Sequence, residues 1–315
     1  MRIGTWNLEN LFRPHESDAA PSSHADYDAK LTALATTIDA LAPDVLAVQE
    51  VGDPDALDDL LARLDGTWTA QLASPDGRGI RVGCIARVAL TAVAQVTSFP
   101  AGLHPVQVGD HGETMDAMGR PALHVRVGDG ADAIDLVSAH LKSKLLTYPG
   151  GRFGPRDEGE RARYAVYALH RRAAEAAAVR DAATHVLDDG PGRRLVVAGD
   201  LNDEPDAATT QILLGPGGSE IGTAGFDRPD RGDAARLWNL APLIPEDQRF
   251  SRIYRGRREL IDHLLVSHAL VGTVRAVTTG TPAVLPATPS ITDDPGDRRD
   301  APGSDHRPVV ATLGA

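Results

Sequence analysis

Six short polar clusters are spread along the sequence, and each stands at or just beyond the end of an apolar run. They are Trp6-Asn7, Gln49-Glu50, His140 with Lys142, Asp200 with Asn202, Asp262-His263 and Ser304-Asp305-His306. Taken singly, an Asp or Asn at such a position is usually a turn residue or the N-cap of a helix. Taken together, the clusters supply carboxylates, amides and imidazoles. This oxygen-rich set suits Mg²⁺ or Mn²⁺ better than structural zinc.

The order of these clusters and the residues around them resemble those of a known family. The blocks are TWNLEN, VQE, SAHLKS, GDLN, LIDHLLVS and SDHRPV, and the match that contains them runs from residue 3 to residue 313. In this order they resemble the endonuclease/exonuclease/phosphatase superfamily, which includes DNase I. The resemblance implies a four-layer α/β sandwich, in which two mixed β-sheets lie face to face and are flanked by helices. It also implies a metal-dependent hydrolase that acts on phosphoric ester bonds.

Carried over position by position, the resemblance implies a role for most of the clusters. Glu50 would be the principal ligand of a Mg²⁺ or Mn²⁺ ion, with Asn7 beside it and Asp305 near or in the metal sphere. Asp200 would orient or deprotonate the attacking water. Asn202 would donate a hydrogen bond to a non-bridging phosphate oxygen.

Two histidines and an arginine complete the implied site. His306 would face the phosphate with Asp262 holding its imidazole, and such a contact raises the pKa of a histidine. His140 would be a second phosphate-contacting histidine, as in the DNase I and sphingomyelinase branches. Arg120 lies in a Gly-Arg-Pro-Ala run that resembles the DNase I branch and would bind phosphate. An ordinary surface arginine is the alternative interpretation.

Two basic segments could bind a polyanionic substrate. The block HLKSK resembles bacterial nuclease-like members, and Lys142, Lys144 and Arg152 belong to a predicted cationic lip that contacts substrate. The alternative for this segment is an ordinary solvated basic face. A second basic run, residues 249–258, enters the next-to-last predicted strand and could form the opposite lip.

Alternating strand and helix patterns must position these clusters. The predicted strands are Ile3–Leu8, Val45–Val51, Val82–Val88, Ala122–Val127, Ile134–His140, Leu195–Ala198, Leu260–Ser267 and Pro308–Leu313. Apolar spacing and composition predict helices over residues 31–41, 54–64 and 160–187. Loops rich in Gly and Pro are predicted over residues 100–119, 145–159, 215–232 and 280–303. Because the elements fill the whole length without a linker, we expect one domain of residues 1–315.

Composition limits the classes of function. The 315 residues carry a formal net charge of −12, so any nucleic-acid contact must use a local basic patch. Cys84 is the only cysteine, so no intrachain disulfide can form. The sequence has neither a secretory leader pattern nor an apolar run of membrane length. We therefore expect a cytoplasmic monomer without a membrane partner.

Three functions remain open from the sequence. The leading prediction is a Mg²⁺- or Mn²⁺-dependent phosphodiesterase, specifically a nuclease that acts on DNA or RNA. The second is a phosphatase or phosphodiesterase for small phosphorylated metabolites, which the acidic charge and an aromatic content of 4% favour. The third is a non-catalytic interaction module on the same fold. The presence of every implied ligand and catalytic residue argues against that third function.

Overall fold

Two six-stranded mixed sheets dominate the computed structural model, which describes residues 1–152, 154–190, 192–281, 285–294 and 296–314. In chain order the strands are β1 (Arg2–Leu11), β2 (Val45–Val51), β3 (Thr69–Leu72), β4 (Arg81–Ala86), β5 (Leu90–Ser98), β6 (Val106–Gln107), β7 (Thr114–Met115), β8 (Ala117–Val127), β9 (Ile134–His140), β10 (Leu195–Asp200), β11 (Leu237–Asn239), β12 (Arg252–Tyr254), β13 (Arg257–Glu259), β14 (Asp262–Ser267), β15 (Val274–Thr278), β16 (Ser290–Ile291) and β17 (Val309–Leu313). The α-helices are α1 (His24–Leu41), α2 (Pro54–Leu61), α3 (Glu158–Asp188), α4 (Ala208–Leu214) and α5 (His268–Val271).

The two large sheets share one plan, with a parallel pair of strands at the centre and antiparallel strands outside it. The first sheet has the order β15-β17-β1-β2-β4-β3, and its parallel pair is β1 and β2. The second sheet has the order β11-β14-β10-β9-β8-β5, and its parallel pair is β9 and β10. A separate three-stranded sheet has the order β13-β12-β16.

The alternation of side chains along β2 shows how the layers are built. Val45 and Ala47 belong to the core that the two sheets share, whereas Leu46 and Val48 pack with residues of α1 and α2. On the other side of the molecule, α3 and α4 pack against the outer face of the second sheet. The layers are therefore helices, sheet, sheet and helices. The four-layer α/β sandwich implied by the family resemblance is confirmed.

The three predicted helices correspond to α1, α2 and α3 and differ at some ends, whereas the short helices α4 and α5 were not predicted. α2 begins with Pro54 behind the N-cap Asp53, whose side chain accepts a hydrogen bond from the Asp55 backbone N–H. α1 begins well before residue 31, because the Ser23 hydroxyl caps it by accepting from the Asp26 backbone N–H at 3.1 Å. In the part of the chain that the structure describes, no helix is both long and apolar enough to span a bilayer.

The strands that no sequence pattern predicted bury little surface or are very short. β5 is an edge strand and is exposed along most of its length, so it shows no clear apolar alternation. β11, β12 and β13 have three residues each, too few to give a pattern. The predicted loop 100–119 contains β6 and β7 and the start of β8. Positions 153, 282–284 and 295 of the predicted loops lie outside the described residues.

The direction of the strands brings the polar clusters to one edge. The second, third and fourth clusters stand at the carboxyl ends of β2, β9 and β10, whereas Asn7 lies inside β1 where its regular pairing with β2 ends. β14 is antiparallel to β10, so its first residue, Asp262, pairs with Asp200. β17 is antiparallel to β1, so the segment before it, which carries His306, reaches the same edge.

Candidate active site

Asn7 connects the two large sheets at the centre of the site. Its side-chain N–H₂ donates to Glu50 Oε1 in the same sheet and to Asp200 Oδ2 in the other sheet, both at 3.1 Å. Its side-chain oxygen accepts from the backbone N–H of Glu9 at 2.9 Å. Asn7 and Asp200 are buried, and Glu50 is half-buried. The structure therefore brings the first, second and fourth polar clusters together.

Glu50 and Asn202 have left-handed backbone conformations, with φ of +60° and +55°. For a residue with a side chain this region costs on the order of 1–3 kcal/mol, and such residues concentrate at functional sites. The backbone N–H of Asn202 donates to Asp200 Oδ1 at 2.9 Å, and its side-chain amide donates to the Leu141 carbonyl at 3.0 Å. Glu50 Oε2 accepts from the backbone N–H of Asn10 at 2.9 Å. These hydrogen bonds hold both side chains in place.

Asp262 and His306 form a buried ion pair, with His306 Nδ1 2.7 Å from Asp262 Oδ2. Both residues are anchored, since the Asp262 N–H donates to the Ser251 hydroxyl at 3.1 Å and the Trp6 indole donates to the His306 carbonyl at 2.9 Å. Burial opposes protonation of His306, but the charges of Asp262 and Asp305 outweigh it and raise its pKa to about 10. His306 is therefore protonated at neutral pH.

His140 also lies beside Asp200, but its pKa is shifted in the direction opposite to that of His306. Its Nε2 is 3.5 Å from Asp200 Oδ2, and His306 Nε2 is 3.9 Å from the same oxygen. Burial, and then the positive charges of Arg120 and His306, lower the pKa of His140 well below its usual value. Its Nδ1 is buried and has no hydrogen-bond partner among the described residues. The site thus combines one protonated and one neutral imidazole.

Asp200 is the carboxylate that these groups surround. Asp200, Asp262 and His306 present atoms within 4.8 Å of one another, in a group that could hold a metal ion. Burial, and then the charge of Asp262, raise the pKa of Asp200 to about 7, although His306 and Arg252 act in the opposite direction. The chain's own cations therefore balance the buried negative charge only in part. This imbalance, together with the oxygen-rich side chains, fits a bound divalent cation.

Three charged residues beside Asp305 were not singled out from the sequence. Glu9 Oε2 accepts from the Asp305 backbone N–H at 2.8 Å, and Arg298 Nε lies 2.8 Å from Glu9 Oε1. Lys30 is buried on α1, and its Nζ donates to the Gly303 carbonyl at 2.9 Å. Burial, and then the charge of Asp305, raise the pKa of Glu9 to about 7. Only Glu9 had a sequence signal, because it lies two residues after Asn7 within TWNLEN.

Two of the residues predicted to contact substrate lie close to His140. Arg120 is buried, affects the pKa of His140 through its charge, and donates to Asp76 Oδ2 at 2.8 Å. The Arg120 Nε is buried without a partner among the residues that the structure describes. Lys142 turns back onto its own loop, where its Nζ donates to the Leu145 carbonyl at 2.6 Å.

The other two, Lys144 and Arg152, each form an ion pair. Lys144 Nζ is 3.2 Å from Asp203 Oδ1, and Arg152 Nη2 is 2.8 Å from Glu160 Oε1. Arg152 also donates to the Gly154 carbonyl at 2.9 Å. Both cations are thus matched by a carboxylate of the same chain.

The sequence model of the Endonuclease/Exonuclease/phosphatase family matches residues 4–306, a range that contains all six polar clusters. This chain belongs to that family. It is accordingly a hydrolase of phosphoric ester bonds. A comparison with curated proteins gives no match.

Several solved structures share the fold. Truncated Caenorhabditis elegans TDP2 matches with a TM-score of 0.54 at 16% identity, covering 100% of this chain and 97% of that one. The 3'-5' exonuclease NExo from Neisseria meningitidis gives 0.53 at 18% identity, with 100% of both chains covered. The human nocturnin catalytic domain with bound sulfate anion gives 0.52 at 15% identity, covering 99% and 93%. At these identities the likeness shows the fold alone.

Proposed function

We propose that this family member is a Mg²⁺- or Mn²⁺-dependent phosphodiesterase that cuts DNA or RNA by in-line attack of a water molecule activated by Asp200. The observation that carries the proposal is the setting of this buried carboxylate, which lies beside the Asn7 amide and within 4 Å of the imidazoles of His140 and His306. Hydrolysis of a phosphodiester needs a base for the water and positive groups for the charge of the transition state. This arrangement supplies both.

We assign the cation to Glu50 and Asn7, with Asp305 close by. The compact Asp–Asp–His group is a second possibility, but the Nδ1 of His306 already faces Asp262 Oδ2 at 2.7 Å. We therefore give that pair the task of facing the phosphate. The few oxygen ligands around Glu50 suit Mg²⁺, which keeps several waters. When bound, the cation would neutralise charge on the phosphate and orient it.

The chain's own groups perform the remaining steps. Asp200 would orient the water and take its proton, and a pKa near 7 suits a base that works at neutral pH. His306, held by Asp262, would donate a hydrogen bond to the phosphoryl group. As the water oxygen bonds to phosphorus, the opposite P–O bond would break, and the leaving sugar oxygen would take a proton from solvent. His140 and Asn202 would contact the non-bridging oxygens and fix the phosphate for in-line attack.

A phosphatase or phosphodiesterase for small phosphorylated metabolites is the second candidate function. Two observations favour it. The chain has a net charge of −12, and Lys144 and Arg152, which were predicted to hold a polymer, are paired with carboxylates. A substrate without flanking phosphates would need neither residue.

A metal-dependent activity panel tests the proposal. EDTA should abolish hydrolysis of DNA, RNA and bis-p-nitrophenyl phosphate, and Mg²⁺ or Mn²⁺ should restore it. Glu50→Gln should raise the Mn²⁺ concentration for half-maximal rate by about tenfold or more. Full activity after exhaustive chelation would exclude the metal-dependent mechanism. Activity on phosphomonoesters alone would instead support the metabolite function.

A further inference from the structure

A second cationic surface lies on the small three-stranded sheet. Residues 249–259, which we refer to as the arginine hairpin, contain five arginines and a single carboxylate, Glu259. Arg255 and Gly256 connect β12 to β13 with φ of +46° and +77°, the pattern of a tight two-residue hairpin turn. So many cations on a short hairpin stand out on a chain with a net charge of −12. Such a local patch is typical of a surface that binds a polyanion.

The hairpin charges are less neutralised than those of the first basic segment. Between residues 142 and 163, the cations that lie 2.5–3.2 Å from a carboxylate are Lys144, Arg152, Arg156, Arg161 and Arg163. In the arginine hairpin, Arg255 pairs with Asp293. Arg257 and Arg258 are exposed, and neither has a carboxylate partner within the described ranges. Arg258 Nη1 donates to the Asp247 carbonyl at 3.3 Å, but the charges of both guanidinium groups are unmatched by a carboxylate in these ranges and can act on a ligand.

Aromatic rings alternate with the arginines of the hairpin. The guanidinium carbons of Arg252 and Arg255 lie 5.7 and 5.6 Å from the centre of the Tyr254 ring. That of Arg258 lies 4.4 Å from the centre of the Phe250 ring. Contact with a ring face orients a guanidinium group and leaves its N–H donors free. Surfaces that bind single-stranded nucleic acid combine cations for the phosphates with rings for the bases. Of these two rings Tyr254 is half-buried and can meet a base, whereas Phe250 is buried and only supports Arg258.

The base of the hairpin is joined directly to the active site. Ser251 accepts from the Asp262 N–H at 3.1 Å through its hydroxyl, and from the Arg307 N–H at 2.6 Å through its carbonyl. Arg252 is 16% exposed, pairs with the last residue of the hairpin, and lies close enough to Asp200 for its charge to act on that carboxyl. Its Nε is buried and unpartnered among the residues described. A nucleic-acid strand that extends from Asp200 past Arg252 would therefore reach the arginine hairpin next.

We propose that the arginine hairpin binds the phosphates that flank the scissile bond of a DNA or RNA strand. It, rather than the segment of residues 142–163, is the main polynucleotide-binding surface. This inference rests on the proposed nuclease function, because a small metabolite has no flanking phosphates. Arg252 lies at the base next to the reacting phosphate, and Arg257 and Arg258 extend the surface away from it.

The double variant Arg257→Ala with Arg258→Ala tests the inference. KM for labelled single-stranded DNA, and for RNA of the same length, should rise about tenfold at about 0.15 M salt, with a much smaller change in kcat. The salt dependence of binding should flatten by about 0.7 in logarithmic slope for each lost phosphate contact. Comparing the two polymers shows which nucleic acid the surface prefers.

A charge-matched control removes two exposed arginines elsewhere. Arg228→Ala with Arg231→Ala lowers the net charge equally, but in the segment before β11. β11 begins with Leu237, which pairs with Ser267 at the last residue of β14. The active-site residue Asp262 is the first residue of β14, so the control lies at the other end of that strand. This variant should leave KM for the polymer near the wild-type value. Arg257→Lys with Arg258→Lys retains both charges and should retain most of the salt slope, which distinguishes lost charge from a misfolded hairpin.

Bis-p-nitrophenyl phosphate has no flanking phosphates, so it distinguishes a failure of the nuclease function from a failure of the hairpin inference. If the wild type cuts DNA or RNA while the Arg257/Arg258 alanine variant keeps its polymer KM and salt slope, the inference is wrong and the nuclease function stands. If Lys144→Ala with Arg152→Ala gives the larger rise in polymer KM, the first basic segment is the binding surface. If the wild type hydrolyses only the small diester, the nuclease function is wrong and the hairpin proposal is wrong with it.

Discussion

The segment of residues 142–163 and the arginine hairpin look alike in the sequence and differ in the structure. Each is rich in basic residues and stands next to a catalytic cluster. In the first segment, however, Arg152 and Arg156 share the carboxylate of Glu160, and the neighbouring cations have acidic partners of their own. In the hairpin, Arg257 and Arg258 face solvent without such partners in the described chain. Basic residues in a sequence give the charge, whereas pairing decides which charge is free for a ligand.

Substitutions in the reacting centre should lower kcat more than substitutions in either basic segment affect any rate. They should also lower it for a polymer and for a small diester alike. Asp200→Asn and His306→Ala should each lower kcat by about 10²–10⁴, because both groups act at the scissile phosphate. The measurement is kcat on a labelled oligonucleotide and on bis-p-nitrophenyl phosphate, with the thermal unfolding midpoint as a folding control. A folded variant with near-wild-type kcat would remove that residue from the mechanism.

Asp262→Asn should change the pH dependence of the same centre. Burial of His306 disfavours its protonation, but the charge of Asp262 outweighs it and holds the pKa near 10. Activity that requires protonated His306 is therefore lost only as the pH rises through that high value. Without the carboxylate the pKa falls, so the alkaline limb of the kcat profile should move to lower pH. An unchanged alkaline limb would contradict the role of this ion pair.

Arg152→Ala should have the smallest effect on substrate and act mainly on stability. Hydrogen bonding from Arg152 lowers the pKa of Glu160, so this pair stabilises the fold above the unfolded pKa of a glutamate and is lost as the pH falls through the folded value. The unfolding temperature should drop at neutral pH, and the difference from wild type should shrink in acid. Arg156→Ala is the matched control, since it contacts the same carboxylate but is 70% exposed. A rise in polymer KM as large as that of the hairpin variant would reverse the comparison.

The family resemblance pointed to the residues of the candidate site because they belong to short sequence blocks, most of which lie at the ends of strands. The contact expected between Asp262 and His306 is present at 2.7 Å, although the two are far apart in sequence. Sequence could not locate Lys30 as a buried residue of the site, because its Nζ donates to the carbonyl of Gly303, which is far away in the sequence. Contacts between distant elements also decide how the two basic segments differ. Composition identifies which charges exist, but the partner of each one depends on contacts between distant elements.

The β-strands show a similar division. β2 and β10 are buried on both faces, and their continuous apolar runs predicted them well. β12 and β13 are short, arginine-rich and half-exposed, so no hydrophobic pattern marked them as strands. The element that we infer to bind the substrate is thus one that sequence patterns describe least well.

A crystal structure of Asp200→Asn with Mn²⁺ and a short oligonucleotide would show which surface holds the phosphates that flank the scissile bond. We predict a cation about 2.0–2.2 Å from Glu50, the scissile phosphate against His306, and the flanking phosphates hydrogen-bonded to the guanidinium groups of the arginine hairpin. A strand whose flanking phosphates lie along residues 142–163, with the hairpin left free, would contradict the account.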